Sequence, residues 1–165
     1  MKLFMGALFL SALLFLGACG FSPLYGTRGG DAAKYHFDSI FIGNIPDREG
    51  QYLRNALIDR FYRHGRPADP QYTLEVAKVR QQRRDLDITK SSSSTRSQLR
   101  LDSKMTLKDN KTGEVLLARE LQSITSYNIL QSQFTTWVSQ DDAERSALDD
   151  IARQIEQQLA LYFNR

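Results

Sequence analysis

Between Leu99 and Lys108 the chain alternates: Leu99, Leu101, Met105 and Leu107 hold odd positions, and Arg100, Asp102, Lys104 and Lys108 hold even ones. Side chains of a strand point alternately to opposite faces, so this segment has one dry face and one wet face. Such a strand belongs in an antiparallel sheet covered on one side only, and the rest of the chain must supply the cover. Leu53, Ala56, Leu57 and Phe61 recur at helical spacing and form one apolar stripe. Ala147, Leu148, Ile151, Ile155, Leu159 and Tyr162 form a second.

Local signals set the expected limits of these elements. Pro46-Asp47 opens the first helix, and Gly65 and Pro67 close it. Gly50 lies in its first turns, where glycine costs up to about 1 kcal/mol relative to alanine, which predicts a frayed start. Ser139 and Asp142 have the spacing of a capping pair and predict the start of the last helix. Asp141, Asp142 and Glu144 suit the positive end of its dipole. Tyr35–Ile42 reads as a first strand and Tyr72–Ala77 as a second. Asp109–Gly113 is turn chemistry before a fourth strand over Glu114–Tyr127. Arg119 shares register with Val115, Leu117 and Leu121, so that strand has a bulge or a misassigned inner face. The expected fold is α+β: a two-layer sandwich of order β-α-β-β-β-α, with two helices packed on one face of a four-stranded sheet.

The N-terminus sets the compartment. One lysine at position 2 precedes thirteen nearly unbroken apolar residues, Leu3–Phe15. That is the n-region and h-region of an export signal. The run is shorter than the roughly 20 residues a spanning helix needs. Leu16-Gly17-Ala18-Cys19 resembles the bacterial lipobox, whose cysteine is acylated and becomes the mature N-terminus; Cys19 is the chain's single cysteine. That resemblance implies lipidation of Cys19. Gly20, rather than the aspartate usual in lipoproteins kept at the inner membrane, points to the periplasmic face of the outer membrane. The expected organisation is 1–18 signal peptide, 19–34 lipidated N-terminus and flexible tether, and 35–165 a single domain. Phe21–Lys34 supports the tether, with one proline, three glycines and no apolar period.

Composition narrows function by exclusion. With one cysteine and two histidines among 165 residues, little material exists for a metal cage or a thiol–imidazole pair. His36 and His64 have no titratable partner nearby in sequence and read as surface or cap residues. Asp85 and Asp87, two apart in a strand, read as salt-bridging residues on one face. Ser91–Ser94 lacks a nucleophile elbow or oxyanion motif and reads as a hairpin tip. The formal charge of +3 is too small to argue for nucleic acid. No catalytic residue, metal or cofactor is expected, and no nucleic-acid partner.

One cluster stands out. Lys78, Arg80, Arg83, Arg84, Lys90, Arg96, Arg100 and Lys104 face only Asp85, Asp87 and Asp102, a local +5 on a hairpin with a serine-rich tip. Two readings stay open: a solvated hairpin, or a basic arm for an anionic partner, with phosphate on lipid the favoured anion for a membrane-anchored chain. Arg83, Arg84, Lys90 and Arg96 are the candidate contacts. Tyr127, Phe134 and Trp137 read either as an interface anchor or, preferentially, as a plug for the end of the sandwich.

Cys19-Gly20-Phe21-Ser22-Pro23-Leu24-Tyr25-Gly26 resembles the mature N-terminus of the alphaproteobacterial lipopolysaccharide-assembly lipoproteins, the LptE family. Ile45-Pro46-Asp47-Arg48 and Ser126-Tyr127-Asn128 are similar to it too, as is the acidic, alanine-bearing last helix. The resemblance implies a non-enzymatic subunit of the lipopolysaccharide translocon. Such a subunit plugs the outer-membrane β-barrel LptD, assists its assembly and contacts lipopolysaccharide. It also implies two helices on a four-stranded sheet. The alternative is an auxiliary lipoprotein of an envelope phospholipid-transport system.

Overall fold

A computed structural model describes residues 36–63, 65–88 and 94–164. The signal, Cys19, the tether, His64 and Lys90 therefore lie outside the described residues. The elements are β1 (Ile40–Ile42), α1 (Asp47–Phe61), β2 (Tyr72–Val76), β3 (Arg80–Ile88), β4 (Ser94–Asp109), β5 (Val115–Asn128) and α2 (Gln133–Phe163).

The alternating strand found in the sequence is the hub of the sheet. Along one side of β4 runs β5; along the other lie β2 and β3 end to end, and β1 adds to β2 in parallel. Both helices cover the odd-residue face. Leu99, Leu101, Met105 and Leu107 are fully buried there with Ile40, Ile42 and Leu74. Opposite them Leu53, Leu57 and Phe61 from α1 and Leu148, Ile151, Ile155 and Leu159 from α2 complete one core. Each such side chain contributes about 1.5–3 kcal/mol when taken out of water. The expected α+β sandwich stands.

The sheet has five strands where the sequence led us to expect four, with order β-α-β-β-β-β-α. The added strand, β3, has no dry face over residues 80–86. Gln81 and Arg83 are in register with Leu101 and Leu99, and Arg80, Gln82 and Arg84 with Asp102, Arg100 and Gln98, yet all five are exposed. Without a buried side there is no apolar alternation to read. The break between β2 and β3 also explains the gap in β4's apolar pattern. Ser103 stands there, donating its hydroxyl to Ala77 O at 2.8 Å, while Ala77 N–H donates to Lys104 O at 2.8 Å.

Other limits shift for stated reasons. β1 begins at Ile40, not Tyr35, because His36 and Phe37 are helical and the Ser39 hydroxyl turns back to His36 O. α2 starts at Gln133, six residues before Ser139, so Ser139 caps nothing. Its first buried residue is Ala143, so the opening turns carry no buried stripe for a periodicity search to find. Gly50 is not a source of fraying. It is buried, and a Cβ there would lie 2.7 Å from Ile45 O and Cγ2, so the helix start is a close approach that needs glycine. The expected bulge is present, but it takes Val115 rather than Arg119 out of the inner row: the register shifts between Leu107/Lys108 and their partners Leu117/Val115, which sets Val115 opposite Lys108. Arg119 keeps its inward register opposite Met105, but it is exposed.

The edge of the sheet at β1 is closed by side chains. The Tyr62 hydroxyl donates to Ile40 O at 2.9 Å and accepts from Ile42 N–H at 3.1 Å, taking the place of a neighbouring strand. Arg54 donates to Gly43 O at 3.2 Å beside it. Unsatisfied edge groups invite pairing with another chain, and these two residues cover them.

Candidate functional site

The β3–β4 hairpin distributes its cations by register. Arg80 and Arg84 in β3, and Arg96, Arg100, Lys104 and Lys108 in β4, all belong to the face the helices leave open. Some are neutralised there. Arg100 pairs with Asp102 at 3.0 Å and Lys108 with Glu75 at 2.7 Å. Arg96 donates to the Ser126 hydroxyl at 2.7 Å. Arg80, Arg84 and Lys104 have no acidic partner among the described residues. Guanidinium groups without a carboxylate are available to capture phosphate in a bidentate fork.

The four candidate residues do not form one cluster. Arg84 and Arg96 share the open face. Arg83 is on the helix-side register, its guanidinium 5.8 Å from the centroid of the Tyr127 ring. Lys90 is outside the described residues. A second register shift separates Asp85, opposite Ser97, from Asp87, opposite Arg96, so the regular alternation that their spacing assumed is broken between them.

The aromatic cluster divides as well. Tyr127 is buried and does plug the end of the sandwich. Phe134 and Trp137 do not: they are 70% and 56% exposed, with ring centroids 6.4 Å apart.

Two features were not legible in the sequence. A groove of about 570 Å³ opens on the wet face where β1, β2 and the β2–β3 break meet, lined by Phe41, Pro46, Ala77, Lys78 and Lys104 among others. Its rim is fixed by Asp47, which takes a left-handed backbone (φ 68°) and holds Lys78 Nζ at 2.6 Å. That bond raises the Lys78 ammonium above its usual range. Between the helices, Arg48 and Arg145 both bind Asp141, at 2.8 and 2.9 Å. Burial first, then Glu49 and Asp141, pushes the neighbouring Glu144 carboxyl up. Among the described residues no group of three or more His, Cys, Asp or Glu side chains is placed to hold a metal ion. His36 stacks on Phe163 at 4.4 Å, a packing contact. No described helix is long and apolar enough to cross a membrane.

Comparison with solved structures places this fold among bacterial lipoproteins. A lipoprotein from Caulobacter crescentus superposes with a TM-score of 0.62 at 21% identity, over 81% of this chain and 96% of the other. A minor lipoprotein from Acinetobacter baumannii gives 0.58 at 23% identity, over 74% and 91%. Rare lipoprotein B from Shewanella oneidensis gives 0.58 at 11%, over 74% and 92%. At those identities the likeness is one of fold. No curated protein sequence matches the chain. The LptE family, described as Lipopolysaccharide-assembly, matches residues 37–161, nearly the whole described domain, and the chain belongs to that family. Membership carries the role of a membrane-associated lipoprotein in lipopolysaccharide assembly, in a family that is not enzymatic.

Proposed function

We propose that the chain is the outer-membrane lipoprotein subunit of the lipopolysaccharide translocon. On this reading residues 1–18 are removed and Cys19 is acylated. Residues 19–34 tether a single domain, 35–165, at the periplasmic face. The domain plugs the LptD barrel, assists its assembly and contacts lipopolysaccharide, and it catalyses no reaction. The observation that carries the reading, beside the family itself, is the open sheet face. It is wet and rich in cations, with Phe41, Val115 and Ile124 exposed among them, and Arg80, Arg84 and Lys104 lack acidic partners among the described residues. The lumen of a large outer-membrane barrel is polar, and a face so rich in cations is suited to it. Lipopolysaccharide is densely anionic, and Arg83, Arg84, Lys90 and Arg96 are proposed as its contacts.

The first test is affinity capture of the full-length acylated protein from detergent-solubilised membranes, with mass spectrometry of what comes with it. A stoichiometric large outer-membrane barrel is the expected result. An inner-membrane transporter or an envelope-bridging protein instead would overturn the plug and favour the phospholipid-transport alternative. Replacing Arg83, Arg84, Lys90 and Arg96 together by serine is expected to weaken lipopolysaccharide binding and outer-membrane integrity. Unchanged values for both would remove the basic contact from the proposal.

A further inference from the structure

Four of the nine exposed large hydrophobics of the described domain lie together where β5 runs into α2: Leu130 (48% exposed), Phe134 (70%), Trp137 (56%) and Val138 (38%). Phe134, Trp137 and Val138 have the spacing of one helix face, and with five full turns between Phe134 and buried Ala152 and between Trp137 and buried Ile155 this face continues the core stripe of α2 into its exposed first turns. From Tyr127 to Gln140 the chain carries no charge at all. The patch is held firmly. The Thr136 hydroxyl accepts from Leu130 N–H at 2.8 Å and reaches Leu130 O at 3.1 Å, and Ile129 N–H donates to Thr95 O at 2.9 Å. This pins the helix start to the first residues of β4, at the tip end of the basic hairpin. On the helix side of that hairpin, opposite Leu99, Arg83 lies over Tyr127 with no acidic partner among the described residues. Asp85, the acid of the same register face, makes no ion pair with it.

A rigid apolar surface beside an unneutralised guanidinium matches an amphiphilic anion: apolar chains on the rings, a phosphate on the arginine. A solvated hairpin explains the cations but not a tryptophan and a phenylalanine held in water beside them. We propose that Leu130, Phe134, Trp137 and Val138 form a subsite for the acyl chains of a phosphorylated glycolipid, with Arg83 as its phosphate contact. This rests on the lipopolysaccharide reading above and adds that the acylated end of the ligand, not its sugar, is seated at this end of the domain.

Trp137 is the chain's only tryptophan, so its emission reports on the subsite directly. The experiment uses the full mature chain with Cys19→Ala, so that no acyl anchor or detergent competes. Two probes are titrated: intact lipopolysaccharide, and the same material with its acyl chains removed by alkali but its phosphates and sugars kept. The intact probe is expected to shift Trp137 emission to the blue and to shield it from acrylamide; the deacylated one is not. Phe134→Ser with Val138→Ser is expected to weaken intact-probe binding about tenfold, the scale of losing two apolar contacts, and to leave deacylated-probe binding unchanged. Circular dichroism of that exposed-site variant controls for folding. Binding of intact lipopolysaccharide without an emission shift, or with full affinity in the serine variant, overturns the subsite while the contact with lipopolysaccharide stands. The subsite is likewise overturned if Trp137 is shielded only by a co-purified barrel and never by lipid. If neither probe binds, the lipopolysaccharide contact itself fails, and the subsite with it.

Discussion

Replacing Gly50 by alanine sets helix propensity against packing, and the two give opposite signs. Propensity alone favours alanine inside a helix by about 0.8–1.0 kcal/mol. The geometry opposes it: the new Cβ would stand 2.7 Å from Ile45 O, 2.7 Å from Ile45 Cγ2 and 2.8 Å from Ile45 C. Two of those atoms are backbone, so no rotamer change relieves them, and Ile45 is itself buried at 3% exposure. Forcing an extra methyl group into a packed site costs about 1–3 kcal/mol. Three contacts this short place Gly50→Ala at the upper end of that range. After the propensity gain is subtracted, the net loss is about 2 kcal/mol, or roughly a 5–10 °C fall in Tm for a domain of this size. Urea unfolding followed by circular dichroism measures it as a lower midpoint at unchanged slope. In an Ile45→Ala background the clash with Cγ2 disappears but the carbonyl remains, so the cost of Gly50→Ala is expected to shrink without vanishing. A variant as stable as the parent, or more so, would refute the close approach and restore propensity as the governing effect.

Tyr62→Phe removes the hydroxyl that satisfies Ile40 O and Ile42 N–H at the β1 edge. It is expected to cost about 1–2 kcal/mol in urea unfolding and to raise self-association in sedimentation velocity; a variant that stays monomeric shows that Tyr62 does not guard the edge. Glu144 and Asp150 are expected to give pH profiles of opposite sign. Glu144 has its carboxyl raised in the folded state, by burial and then by Glu49 and Asp141, so its ionisation costs stability. That cost grows as pH rises from the unfolded carboxylate range through the folded pKa, so Glu144→Gln stabilises at neutral pH and its gain fades on acidification. For Asp150 burial pushes the carboxyl up, but hydrogen bonds from Ser123, Gln154 and Arg153 outweigh it and the net shift is down. Its contribution is present above the unfolded pKa and lost as pH falls through the folded one, so Asp150→Asn destabilises at neutral pH and converges with the parent in acid. Thermal unfolding of both variants from pH 3 to pH 8 checks the pair; profiles of the same sign would contradict these environments.

What could be read from the sequence follows from what is buried. β4 is legible because one face is dry along Leu99, Leu101, Met105 and Leu107. The later turns of α2 are legible because Ala147, Leu148, Ile151, Ile155 and Leu159 pack on that face. β3 is silent because both its faces meet water over residues 80–86, and the first turns of α2 are silent because nothing in them is buried. Ser103 breaks the apolar pattern of β4 for a reason visible only in three dimensions, the carbonyl of Ala77 across the sheet. The cations of the hairpin can be counted in the sequence, but their division between two faces cannot be read there. It depends on the register of β3 against β4, which the wet sequence of β3 leaves unspecified. The aromatic cluster is visible in the sequence, but only burial separates Tyr127 from Phe134 and Trp137. The Tyr62 and Arg54 caps and the Lys78–Asp47 bridge join residues 20, 11 and 31 positions apart, beyond the reach of any local pattern.

On the proposed reading the arrangement also bears on how the domain would meet a barrel. Every apolar stripe that could drive folding is used on one side of the sheet, between β4 and the two helices, and that core is complete within the chain. The other side contributes little to stability, because its ion pairs are exposed and such pairs are worth about 0–1 kcal/mol each. On the proposed reading the barrel therefore receives a preformed body and need not order a chain around itself, and only side-chain freedom is lost at the contact. The capped β1 edge serves the same end, since a plug that paired edge to edge with its own copies would be withdrawn from assembly. Stability is built into the helix side, while the open face and the Trp137 end are left free to vary with what they touch. Changes at Arg84 or Lys104 should accordingly alter binding and leave the fold in place, whereas changes at Gly50 or Tyr62 should do the reverse.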